Sequence, residues 1–96
     1  MLTCANQKEA DKITKSLLEK RLIVCAKTSS VSSSFLWRGK IDSSDEILLI
    51  MDSIEENFEK INKEVKKLHS YETFVLTSLG VKTTKEVEAW TKEELK

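Results

Sequence analysis

Proline is absent from all 96 residues, where ordinary usage is about 5%. Glycine occurs only at Gly39 and Gly80, and neither G-x-x-x-x-G-K nor G-x-G-x-x-G is present, which argues against a phosphate-cradling loop. The only histidine is His69, there is no H-E-x-x-H, and nothing in the sequence pairs that imidazole with either cysteine. Nucleophilic chemistry loses its base and zinc-protease chemistry its pair of histidine ligands, and a non-enzyme is expected. Charge of one sign is missing too: 16 Lys+Arg balance 16 Asp+Glu, so no basic field exists to hold a nucleic-acid backbone. No apolar run is longer than Ile47 to Met51, far short of the roughly 20 residues that span a bilayer. Lys8, Glu9, Asp11 and Lys12 break any signal-peptide core, so a soluble, cytoplasmic protein without a membrane partner is expected. Cys4 and Cys25 are too few for a disulfide framework and fit small packed thiols.

What is present organises into one domain, 1–96, with a single modest core. "NQKE" at 6–9 is a helix start, with Asn6 as N-cap and Glu9 reaching back, followed by Ala10, Ile13, Leu17 and Leu18 on one face. "SIEE" at 53–56 repeats the signal before Phe58, Ile61, Val65 and Leu68, and "TTKE" at 83–86 opens a short helix with Val87 and Trp90. Strands are expected at Leu22 to Thr28, Val31 to Arg38, Ile41 to Met51 and Phe74 to Leu79, with a short first strand over Met1 to Ala5. The serine-rich "TSSVSSS" at 28–34 leads into alternating Val31, Phe35 and Trp37, which favours a polar-faced strand over a linker. Gly39 supplies the hairpin turn. The order is that of an α+β, ferredoxin-like βαββαβ sandwich with an antiparallel sheet and an extra C-terminal helix.

"ILLIM" at 47–51 is apolar at every position and needs cover on both faces, yet two main helices cover only one face of such a sheet. Packing against other copies is the cheapest cover for a small chain, so an oligomer is expected.

Several stretches carry a resemblance: "TCANQKEA" at 3–10, "LLEKRLIVCA" at 17–26, the hairpin Phe35, Trp37, Gly39 and Lys40, then Glu46 before the apolar strand, and "HSYE" at 69–72. Together they resemble the CutA family of divalent-cation tolerance proteins along nearly the whole chain. The resemblance implies a ferredoxin-like protomer in a homotrimer, with the long middle hairpin reaching a neighbouring subunit and burying Trp37 there. It also implies a role in the response to divalent metals, copper above all, with no other protein partner specified. Prolines usual in the family are replaced by Ala5, Ser29, Ser70 and Phe74, so the missing proline is a local divergence. Almost nothing precedes Thr3, so either the true start lies upstream or an edge of the sheet is clipped.

In some bacterial members copper ligation is ascribed to a cysteine late in the first strand and two adjacent histidines after the second helix. Those positions here are Leu2, Leu68 and His69. His69 survives, and Cys4, of the same strand parity as Leu2, is its soft partner. His69 also fits a helix C-terminal role without metal. Lys27, Arg38, Lys40, Tyr71 and Glu72 are candidates to line a cleft between subunits, with Trp37, Lys40, Tyr71 and Glu72 the interface set. The alternative from another class is a trimeric sensor resembling PII signalling proteins, holding an anion or nucleotide in that cleft.

Overall fold

The computed structural model describes residues 1–95 and is α+β. In chain order it runs β1 Leu2–Cys4, α1 Gln7–Glu19, β2 Cys25–Trp37, β3 Lys40–Asp52, a 3-10 turn Glu55–Asn57, α2 Phe58–Leu68 and α3 Lys85–Glu94. The sheet is antiparallel, with strand order β1-β3-β2. Leu76 adds one antiparallel bridge to Leu2 on the outer edge of β1, and the Thr77 N–H donates to the Met1 carbonyl at 2.9 Å. The segment around Leu76 therefore lies where a ferredoxin-like fold has its fourth strand.

That fourth strand is a correction to the sequence reading, which gave Phe74 to Leu79 a full strand. β1 is three residues long, so its outer edge offers few backbone groups to pair. In the second instance, the strands expected at Leu22 to Thr28 and Val31 to Arg38 are one continuous 13-residue β2, because the serines between them keep extended backbone. The turn joining β2 to β3 consists of Arg38 and Gly39, with φ of 52° and 79°. Positive φ at both central residues matches the right-handed twist of the flanking strands.

Asn6 caps α1 through Oδ1, which accepts the Glu9 N–H at 2.9 Å. At its other end the Leu22 N–H reaches the Leu17 carbonyl at 2.9 Å and the Arg21 N–H the Leu18 carbonyl at 3.1 Å, with Arg21 left-handed at φ 58°. This closes the helix and directs Leu22 and Ile23 toward the core. Ser53 does not cap α2 as its sequence context suggests; its hydroxyl donates to the Leu22 carbonyl at 2.5 Å and a 3-10 turn intervenes. The third cap is Thr84, one residue later than the capping pattern places it.

Ala10, Ile13 and Leu17 of α1 and Ile61 and Val65 of α2 pack on one sheet face with Leu2, Cys4, Ile23 and Leu49. Each large side chain buried there contributes roughly 1.5–3 kcal/mol over its exposed state. Leu18, assigned to the same helical face, is 40% exposed. Between the helices, Glu64 accepts from the Ser16 hydroxyl at 2.6 Å and pairs with Lys20 at 2.8 Å. Helix α3 buries no residue, and Arg21 meets its Glu94 at 3.5 Å.

Candidate functional site

Three chain ends converge where β1 stops, α1 starts and α2 stops. Cys4 is the last residue of β1, opposite Ile47 of β3, and is fully buried. Glu9 stands in the first turn of α1. One of its oxygens, Oε2, accepts the Ala5 N–H at 2.7 Å and the other, Oε1, accepts the Ser70 N–H at 2.6 Å. His69 terminates α2, its own N–H bonded to the Val65 carbonyl at 2.8 Å.

The His69 ring lies 2.8 Å through Nε2 from the Thr3 carbonyl oxygen. A carbonyl can only accept, so Nε2 carries the proton and Nδ1 keeps its lone pair. Nδ1 accepts the Tyr71 N–H at 3.0 Å and is 3.7 Å from Glu9 Oε1. Phe74 stacks on the imidazole at 5.2 Å between centroids and Tyr71 tilts against it at 4.8 Å, and the side chain is wholly buried. Tyr71 in turn donates its hydroxyl to Glu46 Oε2 at 2.8 Å, giving that nearly buried carboxylate a partner.

Electrostatics follow from this crowding. Burial, and then the negative charges of Glu9 and Glu46, push the Cys4 thiol up to about 12, so it is protonated at neutral pH and is no nucleophile. Burial and the Glu46 carboxylate likewise push the Tyr71 phenol up to about 12. Burial alone would raise the Glu9 carboxyl, but the N–H bond from Ala5 and the side-chain and N–H bonds from Ser70 hold it below its ordinary value.

One ligand atom each from Cys4, Glu9 and His69 lie within 4.8 Å of one another, a grouping of soft, hard and imidazole donors. The sequence-selected pair Cys4 and His69 is therefore brought together within a single chain. Glu9 was read only as a helix-start residue, and Glu46 only as a family match. The available signals were the second Glu9 oxygen, which a capping role leaves free, and the acidic pair Asp45 and Glu46 directly before the apolar run of β3.

The interface set is not brought together in one chain. Trp37 and Lys40 close the hairpin as paired residues, Trp37 47% exposed with the Arg38 guanidinium 5.6 Å over its ring. Lys40 is six positions along β3 from Glu46 and its partner Tyr71, about 20 Å at strand spacing. Lys27 pairs with Asp52 at 3.2 Å, beside the Cys25 sulfur at 3.5 Å. Glu72 is exposed on a shallow groove shared with Phe58, Asn62 and Lys66. A larger cleft of about 540 Å³ runs between Met51, Phe58 and the segment from Leu76 to Val81, and none of the candidate residues lines it.

Residues 1–94 match the family model described as CutA1 divalent ion tolerance protein. The divalent-cation tolerance protein CutA of Thermotoga maritima is 34% identical over 94 residues, covering 97% of this chain and 93% of that protein. A solved structure described as the periplasmic divalent cation tolerance protein CutA from Archaeoglobus fulgidus superposes with a TM-score of 0.97 at 33% identity, over 99% of this chain and 94% of the other. The apo PII-like protein CutA from Nostoc sp. shares the fold, with a TM-score of 0.89 at 21% identity over 99% of this chain and 93% of that one.

Proposed function

Because the chain belongs to the CutA1 divalent ion tolerance family, we propose that it acts in tolerance of divalent cations as a cytoplasmic, non-enzymatic homotrimer of single-domain chains, binding copper or a similar cation at His69 and Cys4. The observation that carries this reading is the meeting of a thiol and an imidazole at one buried point, with their donor atoms within 4.8 Å. A trimer is supported by apolar side chains left open on one chain: Phe35, Leu36, Trp37 and Ile41 at the hairpin, Ile50 on the sheet face opposite the helices, and Val75, Leu79 and Val81 after α2. In this reading Trp37 and Lys40 of one subunit approach Tyr71 and Glu72 of another. Copper exceeds zinc at such a site, following the order of divalent affinities and the softness of sulfur.

Calorimetric titration with Cu(II) and Zn(II), repeated on His69→Ala and Cys4→Ser, tests the metal assignment. Binding is weak, because every donor already has a hydrogen-bond partner or a proton to lose. Tight binding that survives both substitutions overturns it. A nucleotide panel read by thermal shift tests the PII-like sensor, which shares this fold; stabilisation by a nucleotide and by no metal favours that sensor. Light scattering at micromolar concentration is to give about three times the 11.0 kDa chain mass.

A further inference from the structure

His69 holds the tautomer that metal-ligating histidines hold. Its Nε2–H is fixed on the Thr3 carbonyl at 2.8 Å, the outer bond that orients a ligating imidazole, and its Nδ1, which accepts the Tyr71 N–H, lies 3.7 Å from Glu9 Oε1. Glu9 brings a carboxylate that stays ionised, and its four lone-pair sites exceed the bonds it accepts from the Ala5 N–H and from the Ser70 N–H and side chain. Cys4 adds sulfur within the same 4.8 Å circle. Sulfur, nitrogen and oxygen from one chain are three of the four donors of a tetrahedral zinc-class site, with the fourth position left for water.

We propose that Cys4 Sγ, a Glu9 carboxylate oxygen and His69 Nδ1 form a complete intrachain three-ligand site for one zinc-class divalent cation per chain, and that filling it releases the Tyr71 backbone. The proposal rests on the cation-binding reading above and adds Glu9, the ligating nitrogen, the stoichiometry and the coupling. The coupling is a matter of exclusion: Nδ1 has one lone pair, which the Tyr71 N–H now occupies at 3.0 Å. A cation there displaces that N–H, while the thiol proton passes to buffer as the sulfur–metal bond forms. Tyr71 also holds Glu46 through its hydroxyl, so the change is carried toward β3. Closing the ligand atoms from 4.8 Å to bonding positions also pulls together the ends of β1, α1 and α2.

Co(II), a spectroscopic stand-in for zinc, is titrated into the purified full chain. The expected spectrum has a near-ultraviolet thiolate-to-cobalt charge-transfer band and intense visible bands of four-coordinate cobalt, saturating at one cobalt per chain. Glu9→Gln, which keeps a hydrogen-bond acceptor at that position, weakens binding at least about tenfold with its far-ultraviolet circular dichroism unchanged. Zn(II) addition speeds hydrogen exchange at the Tyr71 amide. If Glu9→Gln binds as the unmodified chain does while Cys4→Ala and His69→Gln do not, the three-ligand site is overturned and the pair survives. A spectrum without the charge-transfer band, or saturation at one cobalt per three chains, overturns the intrachain site directly. Absence of any cobalt binding overturns the three-ligand site, and the copper reading falls with it only if the Cu(II) titration is also flat. A protected Tyr71 amide in the zinc-saturated protein removes the coupling.

Discussion

Within one antiparallel ladder, Cys25 to Ser30 opposite Ile47 to Asp52 lies beneath two helices, whereas Ser32 to Trp37 opposite Lys40 to Asp45 is covered by no helix among the described residues. The first half has its register fixed by burial: Leu49 is fully enclosed, and Ala26, Ile47 and Met51 pack on the core around it. A slip of one residue would turn those side chains to the other face. The second half keeps its register through the Arg38–Gly39 turn and cross-strand pairs, and its largest apolar side chains are in water, with Leu36 75% and Ile41 83% exposed. Two-stranded ribbons are marginal alone, and in the trimer proposed above a neighbouring subunit would cover this hairpin and its apolar side chains. The same pairing geometry thus serves stability at one end and, in the proposed trimer, association at the other.

The largest effect belongs at the buried end. Leu49→Asp is to remove more than about 4 kcal/mol by enclosing an unpaired charge, leaving no cooperative transition in denaturant. Ile41→Asp, at an 83% exposed site, is to change chain stability by no more than about 0.5 kcal/mol. If both variants unfold alike, the two halves do not differ as described.

Association reverses the ranking of sites. Trp37→Ala is to weaken assembly by about 3 kcal/mol, measured by dilution, with the midpoint of chain unfolding in the dissociated state preserved. Trp90→Ala on α3, equally exposed at 47% in one chain, is to weaken it less. A larger loss at Trp90 would transfer the anchoring role to α3.

Tyr71→Phe probes the junction between the halves, since Glu46 is the last buried acid before the ladder leaves the core. Loss of the hydroxyl leaves the carboxylate without that donor and is to cost about 1–3 kcal/mol in denaturant midpoint. No loss would show that water replaces the phenol at no cost.

The smallest and most gradual effect is acid sensitivity in the helix layer that covers the first half alone. The Lys20 bond, with Ser16, lowers the Glu64 carboxyl from 4.5 to about 2. A carboxyl depressed on folding adds stability that is present above its unfolded value and is lost as pH falls, here from about 4.5 toward 2. Denaturant midpoints across that range are to fall less steeply for Glu64→Gln than for the unmodified chain.

The helices and the turn were legible because their causes are local. Asn6 caps α1 directly, Ile61 and Val65 repeat at helical spacing toward the core, and Gly39 marks the hairpin. The fourth strand was not, because the pairing of Leu76 depends on how much edge β1 offers, a property set some seventy residues away. Cys4 and His69 were reached through resemblance, but Glu9 required the third dimension. Its first-turn position fits a helix cap equally well, and only the folded chain brings the Ser70 N–H to its free oxygen. Glu46 was hidden for the same reason, since its partner Tyr71 is 25 positions away in sequence.

The Arg38–Gly39 turn also bears on the order in which the chain organises. Two residues close the hairpin, so β2 and β3 meet after a very short loop search, on a timescale of about 1–10 μs for hairpins in general. Pairing Leu2 with Leu49 must close a loop of nearly half the chain, and joining Met1 to Thr77 must close most of it. The exposed half of the ladder is thereby available before the core that supports it is complete. With no proline in the sequence, slow prolyl isomerisation does not extend that interval, and the rate of enclosing Leu49 determines how long unfinished chains present their apolar tips to one another.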